Sequence, residues 1–187
     1  MNARDVAVAL LRLMPDSIFV SSLGTATSAL RAASHDGPHF YLGGAMGSAL
    51  PAAMGVADAL PGASVVALVG DGELLMSTGM LWSLSAYRPR NLIVVVLANG
   101  VYGITGGQPL PLPGGFVQAA ESLGVIAARR VASEEGVREA LAELGRPALI
   151  EAKVDQDGWP GPSPFVDPAA VRVAFRTRVD ALAERRV

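Results

Sequence analysis

"VVALVGDGELLMSTGMLWSLSAYRPRNLIVVVLANGVYG" occupies residues 65–103, and its reading decides the fold. Residues 65–69 and 92–98 are short apolar runs rich in valine, as strands buried on both faces are. Residues 73–87 between them have the length and composition of one helix. The first run ends in Gly70-Asp71-Gly72 and the second in Asn99-Gly100. Strand, helix, strand is the unit of a parallel sheet, and in open parallel sheets ligands bind beyond the carboxyl ends of the strands. Both polar residues fall there.

Working outward, the same alternation continues in both directions. Towards the amino terminus, Val6, Leu10, Leu11 and Leu13 predict a first amphipathic helix, 18–20 a short strand, 25–33 a helix and 40–42 another strand. The stretch GGAMGSALPAAMGVADAL (43–60) is rich enough in small residues for a helix to pack closely on a sheet. Beyond residue 98 come a long loop (99–115), a helix (117–123), a strand (125–128), a helix (134–144) and a strand (148–154). The whole predicts an α/β protein, a doubly wound parallel sheet with helices on both faces. Residues 1–155 form this domain. Residues 156–187 hold a proline-rich connector, DGWPGPSP, and a terminal helix that packs on the same domain through Val171, Phe175, Val179 and Leu182.

Composition removes several function classes. The net charge is −2, with 17% charged residues, so there is no general attraction for nucleic acid or acidic lipid. With no cysteine, thiol catalysis, disulfides and thiolate metal sites are excluded, and a reducing cytoplasm is the expected compartment. The start, MNARDVAVALLRLMPDS, lacks the pattern of a secretory signal, and no apolar run approaches the roughly 20 residues of a membrane span. Neither nucleic acid nor membrane is expected as a partner.

If the strands ending at Asp71 and Asn99 are near neighbours, a carboxylate and an amide oxygen can face one oxygen-loving cation. Magnesium takes such ligands and fills its octahedron with phosphate oxygens and water. Gly70 and Gly72 let the backbone approach a ligand, and the N–H groups at the following helix start, near Glu73, suit a phosphate. Taken alone, Gly-Asp-Gly and Asn-Gly are most often plain turns. The dinucleotide fingerprint fails because Leu75 stands where its third glycine belongs, and no phosphate-loop Gly-Lys-Ser/Thr occurs. The spacing of the pair carries the weight: Gly70-Asp71-Gly72, then residues 73–98, then Asn99.

That spacing, extended through NGVYG, resembles the thiamine-diphosphate motif in the diphosphate-binding (PP) domain of 2-oxo-acid decarboxylases, over about residues 17–154. The resemblance implies that Asp71, Asn99 and the carbonyl of Val101 ligate Mg²⁺, with Tyr102 beside the cofactor. GGAMG resembles the segment where an apolar side chain bends the cofactor, which gives that role to Met46 and a pyrimidine contact to the carbonyl of Gly44. SSLGTATSAL resembles the first diphosphate-holding turn, so Gly24 and Thr25 are candidates; a plain helix cap is the alternative. Glu73 departs from the family, where a small residue is common; its N–H is expected to bind phosphate while its side chain points away.

The following ITGGQPLP resembles phosphonopyruvate and sulfopyruvate decarboxylases in particular. Thr105, Gly106, Gly107 and Gln108 then contact a small 2-oxo acid or the cofactor, and the reaction releases CO₂ and an aldehyde. The family draws its activating glutamate from a pyrimidine-binding (PYR) domain, which implies a separate α subunit as partner, in an α₂β₂ assembly. A carboligase subunit of acetolactate-synthase type and a non-catalytic cofactor-binding regulatory module are the alternatives. His35 and His39 are read as surface or structural, Trp82 and Tyr87 as packed in the core or on a partner, and the pairs Arg129-Arg130 and Arg185-Arg186 as solvated.

Overall fold

The valine-rich runs form the centre of a six-stranded sheet in the computed structural model, which describes residues 1–35, 37–112, 114–124, 127–156, 161–163 and 165–184. In chain order the elements are α1 (Ala3–Leu13), β1 (Ile18–Ser21), α2 (Gly24–Ser34), β2 (Phe40–Tyr41), α3 (Ala49–Ala59), β3 (Val65–Gly70), α4 (Asp71–Met76), α5 (Met80–Tyr87) and β4 (Leu92–Ala98). There follow β5 (Val101–Tyr102), a 3₁₀ turn (Gly103–Thr105), β6 (Gln108–Pro109), α6 (Gly115–Ser122), β7 (Ala127–Val131), α7 (Glu134–Glu143), β8 (Ala148–Lys153) and α8 (Pro168–Glu184). The main sheet has the order β2-β1-β3-β4-β8-β7, with every neighbouring pair parallel. This is the doubly wound α/β architecture expected from the sequence.

Two-residue periodicity divides the core. Phe19, Val66, Leu68, Ile93, Val95 and Ile150 face one side with α1, α2 and α7. Ile18, Val20, Val65, Ala67, Val94 and Leu149 face the other with α3, α5 and α6. Each large apolar side chain buried here contributes about 1.5–3 kcal/mol, which is why these strands carry almost no polar residue. At one edge α8 leans on β2, with Val171 buried and Phe175 4.8 Å, ring to ring, from Phe40. Among the described residues no helix is long and apolar enough to cross a membrane.

Three local expectations change. The single helix at 73–87 is two helices, because the hydroxyl of Thr78 donates to the carbonyls of Leu74 and Leu75, and that of Ser77 to Glu73. Hydroxyls bonded back in this way compete with the helical ladder and bend the chain. The loop at 99–115 contains an antiparallel β5–β6 pair. The strand expected at 125–128 is observed at Ala127–Val131; residues 125 and 126 lie outside the described set. So do residues 157–160 and 164 of the connector, and Arg185-Arg186. Trp82 and Tyr87 are exposed rather than in the core. His39 stacks edge-on to Phe19 at 5.0 Å and to Tyr41 at 6.3 Å.

Candidate functional site

The chain leaves β1 towards β2 on one side and returns as β3 on the other, so β1 and β3 border a topological switch point, where open α/β sheets bind ligands. Gly70 pairs with Leu97, which brings Asp71 and Asn99 to the ends of adjacent strands. A cavity of about 260 Å³ opens there. The turn after β1 lines it with Gly24 and Thr25, the glycine-rich segment with Gly44 and Met46, and the β3–α4 junction with residues 70–73. Asn99, Val101, Tyr102 and Thr105 close it from the β4 side. Of the site residues named from sequence, Gly106, Gly107 and Gln108 are not in the wall.

Asp71 is 3% exposed. Its Oδ1 accepts the Gly72 N–H at 2.8 Å and its Oδ2 the Gly100 N–H at 2.7 Å. Burial pushes the carboxyl above its ordinary pKa despite these bonds, and among the described residues it has no ion-pair partner. Asn99 Oδ1 accepts the Val101 N–H at 3.1 Å, fixing the amide at the turn. Gly72 is required by close approach: a Cβ there would sit 2.5 Å from Tyr102 Cε1. Gly70, by contrast, has ordinary extended backbone (φ −79°). It is the N-cap of α4, which starts directly at Asp71.

Other donors converge on the same space. Leu23, at the N-cap of α2, is extended and supplies no side-chain cap, so the first N–H groups of the helix lack a side-chain partner and two of their residues line the cavity. Gly43, Gly44 and Gly47 all have positive φ, and this winding segment presents the half-buried Met46. The Gly44 carbonyl accepts the Met46 N–H at 3.0 Å, leaving one lone pair free.

Glu73 turns inward and is 4% exposed. Its Oε1 accepts from the Ser22 hydroxyl and from the Ala49 N–H at 3.3 Å, while Oε2 has no hydrogen-bond partner among the described residues. Burial raises its pKa to about 7. Thr105 and Gln108 are braced on each other: Thr105 Oγ1 donates to Gln108 Oε1 at 2.8 Å and Gln108 Nε2 donates to the Thr105 carbonyl at 2.7 Å. Sequence reasoning missed Leu23, Leu97, Ile104 and Phe165, which supply the apolar part of the wall. Leu23 and Ile104 lie inside the SSLGTATSAL and ITGGQPLP stretches already singled out, whereas Leu97 and Phe165 had no such signal.

Over residues 23–152 the sequence matches the family described as thiamine pyrophosphate enzyme, C-terminal TPP binding domain. The chain belongs to this family. It is 35% identical over 175 residues to phosphonopyruvate decarboxylase from Streptomyces viridochromogenes, covering 91% of this chain and 44% of that protein. It is 36% identical over 96 residues to the sulfopyruvate decarboxylase subunit beta of Methanothermobacter thermautotrophicus, covering 51% of each. Among solved structures, the thiamine diphosphate-dependent 4-hydroxybenzoylformate decarboxylase of Rhodococcus jostii RHA1 superposes with a TM-score of 0.70 at 29% identity, over 84% of this chain and 33% of that one. The chain thus spans about half or less of these relatives.

The residues present fit the family's cofactor. A buried carboxylate without a cation, an amide oxygen and a nearby backbone carbonyl are hard oxygen donors of the kind magnesium takes. No cluster of three or more His, Asp or Glu side chains that could hold a metal occurs among the described residues. The missing ligands would therefore have to come from phosphate and water.

Proposed function

We propose that this chain is the diphosphate- and Mg²⁺-binding part of a thiamine-diphosphate-dependent decarboxylase acting on a small anionic 2-oxo acid of the phosphonopyruvate or sulfopyruvate class. The observation that carries the reading is the buried carboxylate of Asp71, without an ion-pair partner among the described residues, beside Asn99 and facing the same cavity as the start of α2, whose N-cap supplies no side-chain hydrogen bond. Asp71, Asn99 and the Val101 carbonyl would hold Mg²⁺, Gly24 and Thr25 the diphosphate, and Gly44 and Met46 the rings. When bound, thiamine diphosphate supplies the nucleophile and electron sink for loss of CO₂. The chain's own residues anchor it, exclude water and shape the space for substrate, with Thr105 at the wall and Gln108 bracing it. The other catalytic half, including the activating acid, would come from a PYR-type α subunit. Relatives named as β subunits of sulfopyruvate decarboxylase support this, as do exposed Met76, Trp82 and Tyr87, which offer apolar surface to a partner. The lack of cysteine suits a cytoplasmic setting.

The test is reconstitution. Purified chain, with and without the PYR-type subunit from a neighbouring reading frame, is assayed for CO₂ release from phosphonopyruvate, sulfopyruvate, pyruvate and benzoylformate. Activity should need both proteins, Mg²⁺ and thiamine diphosphate, and should favour the two anionic substrates. Activity of the chain alone would refute the split site. A preference for benzoylformate or pyruvate would refute the substrate class while leaving the cofactor site standing.

A further inference from the structure

The cavity wall mixes two kinds of residue. Asp71, Asn99 and the start of α2 make a polar corner suited to a cation and a diphosphate. Leu23, Met46, Ile104 and Phe165 are apolar and offer such a ligand nothing. Phe165 is the outlier of this group. It lies outside residues 23–152, the span shared with the family, and the residue is 60% exposed although it forms part of the wall.

The backbone around it is tied down. The Pro162 carbonyl accepts from the Ser28 hydroxyl of α2 at 2.6 Å, and the Ser163 carbonyl accepts from Arg31 of the same helix. Gly161 lies so close to Ser28 and Ala32 that a Cβ would collide with both. The Phe165 N–H donates to Ser163 Oγ at 3.2 Å, and Val166 packs against the core. Between these anchors the phenyl ring is held over Gly44, so that a Cβ on that glycine would be 3.0 Å from Phe165 Cε1. The chain thus spends several tethers on holding an aromatic ring at the cavity with most of its surface uncovered. An apolar ring fixed in that way is suited to a ligand with a flat apolar part, since burying it and pairing it with a second ring both gain free energy.

We propose that Phe165 is a binding residue of this site, packing against the heteroaromatic ring portion of the bound cofactor and so joining the C-terminal segment to the pocket. This rests on the cofactor reading above. It assigns the segment after residue 152 a share in ligand binding that the matched family span does not contain.

Titration calorimetry on the chain reconstituted with a PYR-type subunit, with Mg²⁺ plus either thiamine diphosphate or inorganic diphosphate, tests it. In wild type, thiamine diphosphate should bind more tightly than inorganic diphosphate. Phe165→Ala should weaken thiamine diphosphate about tenfold and leave inorganic diphosphate unchanged. Phe165→Leu, which keeps apolar bulk on the same backbone, should weaken it less, and serves if the Ala variant does not fold. Wild-type affinity for thiamine diphosphate in both variants would overturn the assignment of Phe165 alone. Equal losses for both ligands would overturn it too, showing that the residue only holds the segment in place. Failure of wild type to bind either ligand would overturn the cofactor reading and this inference with it.

Discussion

Asp71 and Glu151 are both buried acids on the same sheet, at 3% and 7% exposure, one just past β3 and one on β8. Each accepts two backbone N–H groups. Asp71 takes those of Gly72 and Gly100, and Glu151 takes those of Phe116 and Val117 at 2.9 and 3.2 Å, where it caps α6. The difference is the third partner. Arg130 Nε donates to Glu151 Oε1 at 2.9 Å, and the same guanidinium reaches the Gly114 carbonyl at 3.0 Å. Among the described residues Asp71 has no such arginine. Burying a carboxylate is costly unless an opposite charge accompanies it. Glu151 brings its counter-charge from within the chain and is therefore architecture. Asp71 lies beside an amide oxygen and an open cavity, where the proposed Mg²⁺ would supply the counter-charge.

The largest effect follows from removing the Asp71 charge. Asp71→Asn should weaken Mg²⁺-dependent binding of thiamine diphosphate roughly 100-fold or more, about 3 kcal/mol, by calorimetry. The same change relieves the buried charge but sets an amide NH₂ against the Gly72 or Gly100 N–H, so the stability of the metal-free chain should change by less than about 1 kcal/mol. Unchanged affinity would break the comparison at its functional end. Glu151→Gln should behave the opposite way, costing about 2–3 kcal/mol of folding stability in urea denaturation while leaving cofactor affinity intact. An equal loss of affinity in this variant would mean that both acids serve the site.

The sequence made one of these acids legible and hid the other. Asp71 stood out because its motif is local: a strand end, two glycines and a fixed interval to Asn99. The succession of strands and helices could be read in the same way, since short valine-rich runs mark strands buried on both faces; the order of the strands across the sheet could not. Glu151 sits inside an apolar run, and its partner Arg130, at 52% side-chain exposure, reads from sequence as half of a solvated pair. What joins them is the pairing of β7 with β8, opposite residue to opposite residue. Glu73 was obscured for the same reason. Its carboxyl meets Ser22 and the start of α3, contacts 51 and 24 residues away in the chain, and no periodicity encodes that. Phe165 comes from a segment whose only sequence signal was proline.

His39 extends the comparison to a positive charge. Its ring lies against Phe19 and Tyr41, and burial lowers its pKa to about 4, assisted by the positive charge of Arg178 on α8, which itself lies 4.0 Å from Asp16. The folded state therefore favours neutral imidazole. The stability this gives is complete above the unfolded value near 6.5 and is lost as pH falls from there towards 4. Allowing for partial solvent access, the loss is about 2 kcal/mol. His39→Phe should remove it, so the difference in unfolding free energy between wild type and variant should change by that amount between pH 7 and pH 4. A pH-independent difference would show that the histidine is not held neutral.

The smallest effect is the most discriminating. Arg130→Ala would leave Glu151 with two backbone N–H donors and no cation, the inventory that Asp71 has naturally. Because Arg130 is half exposed and water can reach the vacated space, the expected cost is only about 1 kcal/mol, read as a small fall in urea midpoint. If charge deficit alone made a metal site, this variant should gain a second Mg²⁺ equivalent in calorimetry. It should not, because Glu151 lacks what Asp71 has beside it: an amide oxygen at the end of the adjacent strand and a glycine-lined cavity where a diphosphate can complete the coordination. A second equivalent of bound Mg²⁺ would reduce the distinction between the two acids to the arginine alone. One equivalent in both proteins would show that the strand-end geometry, as much as the missing charge, makes the Asp71 corner a binding site.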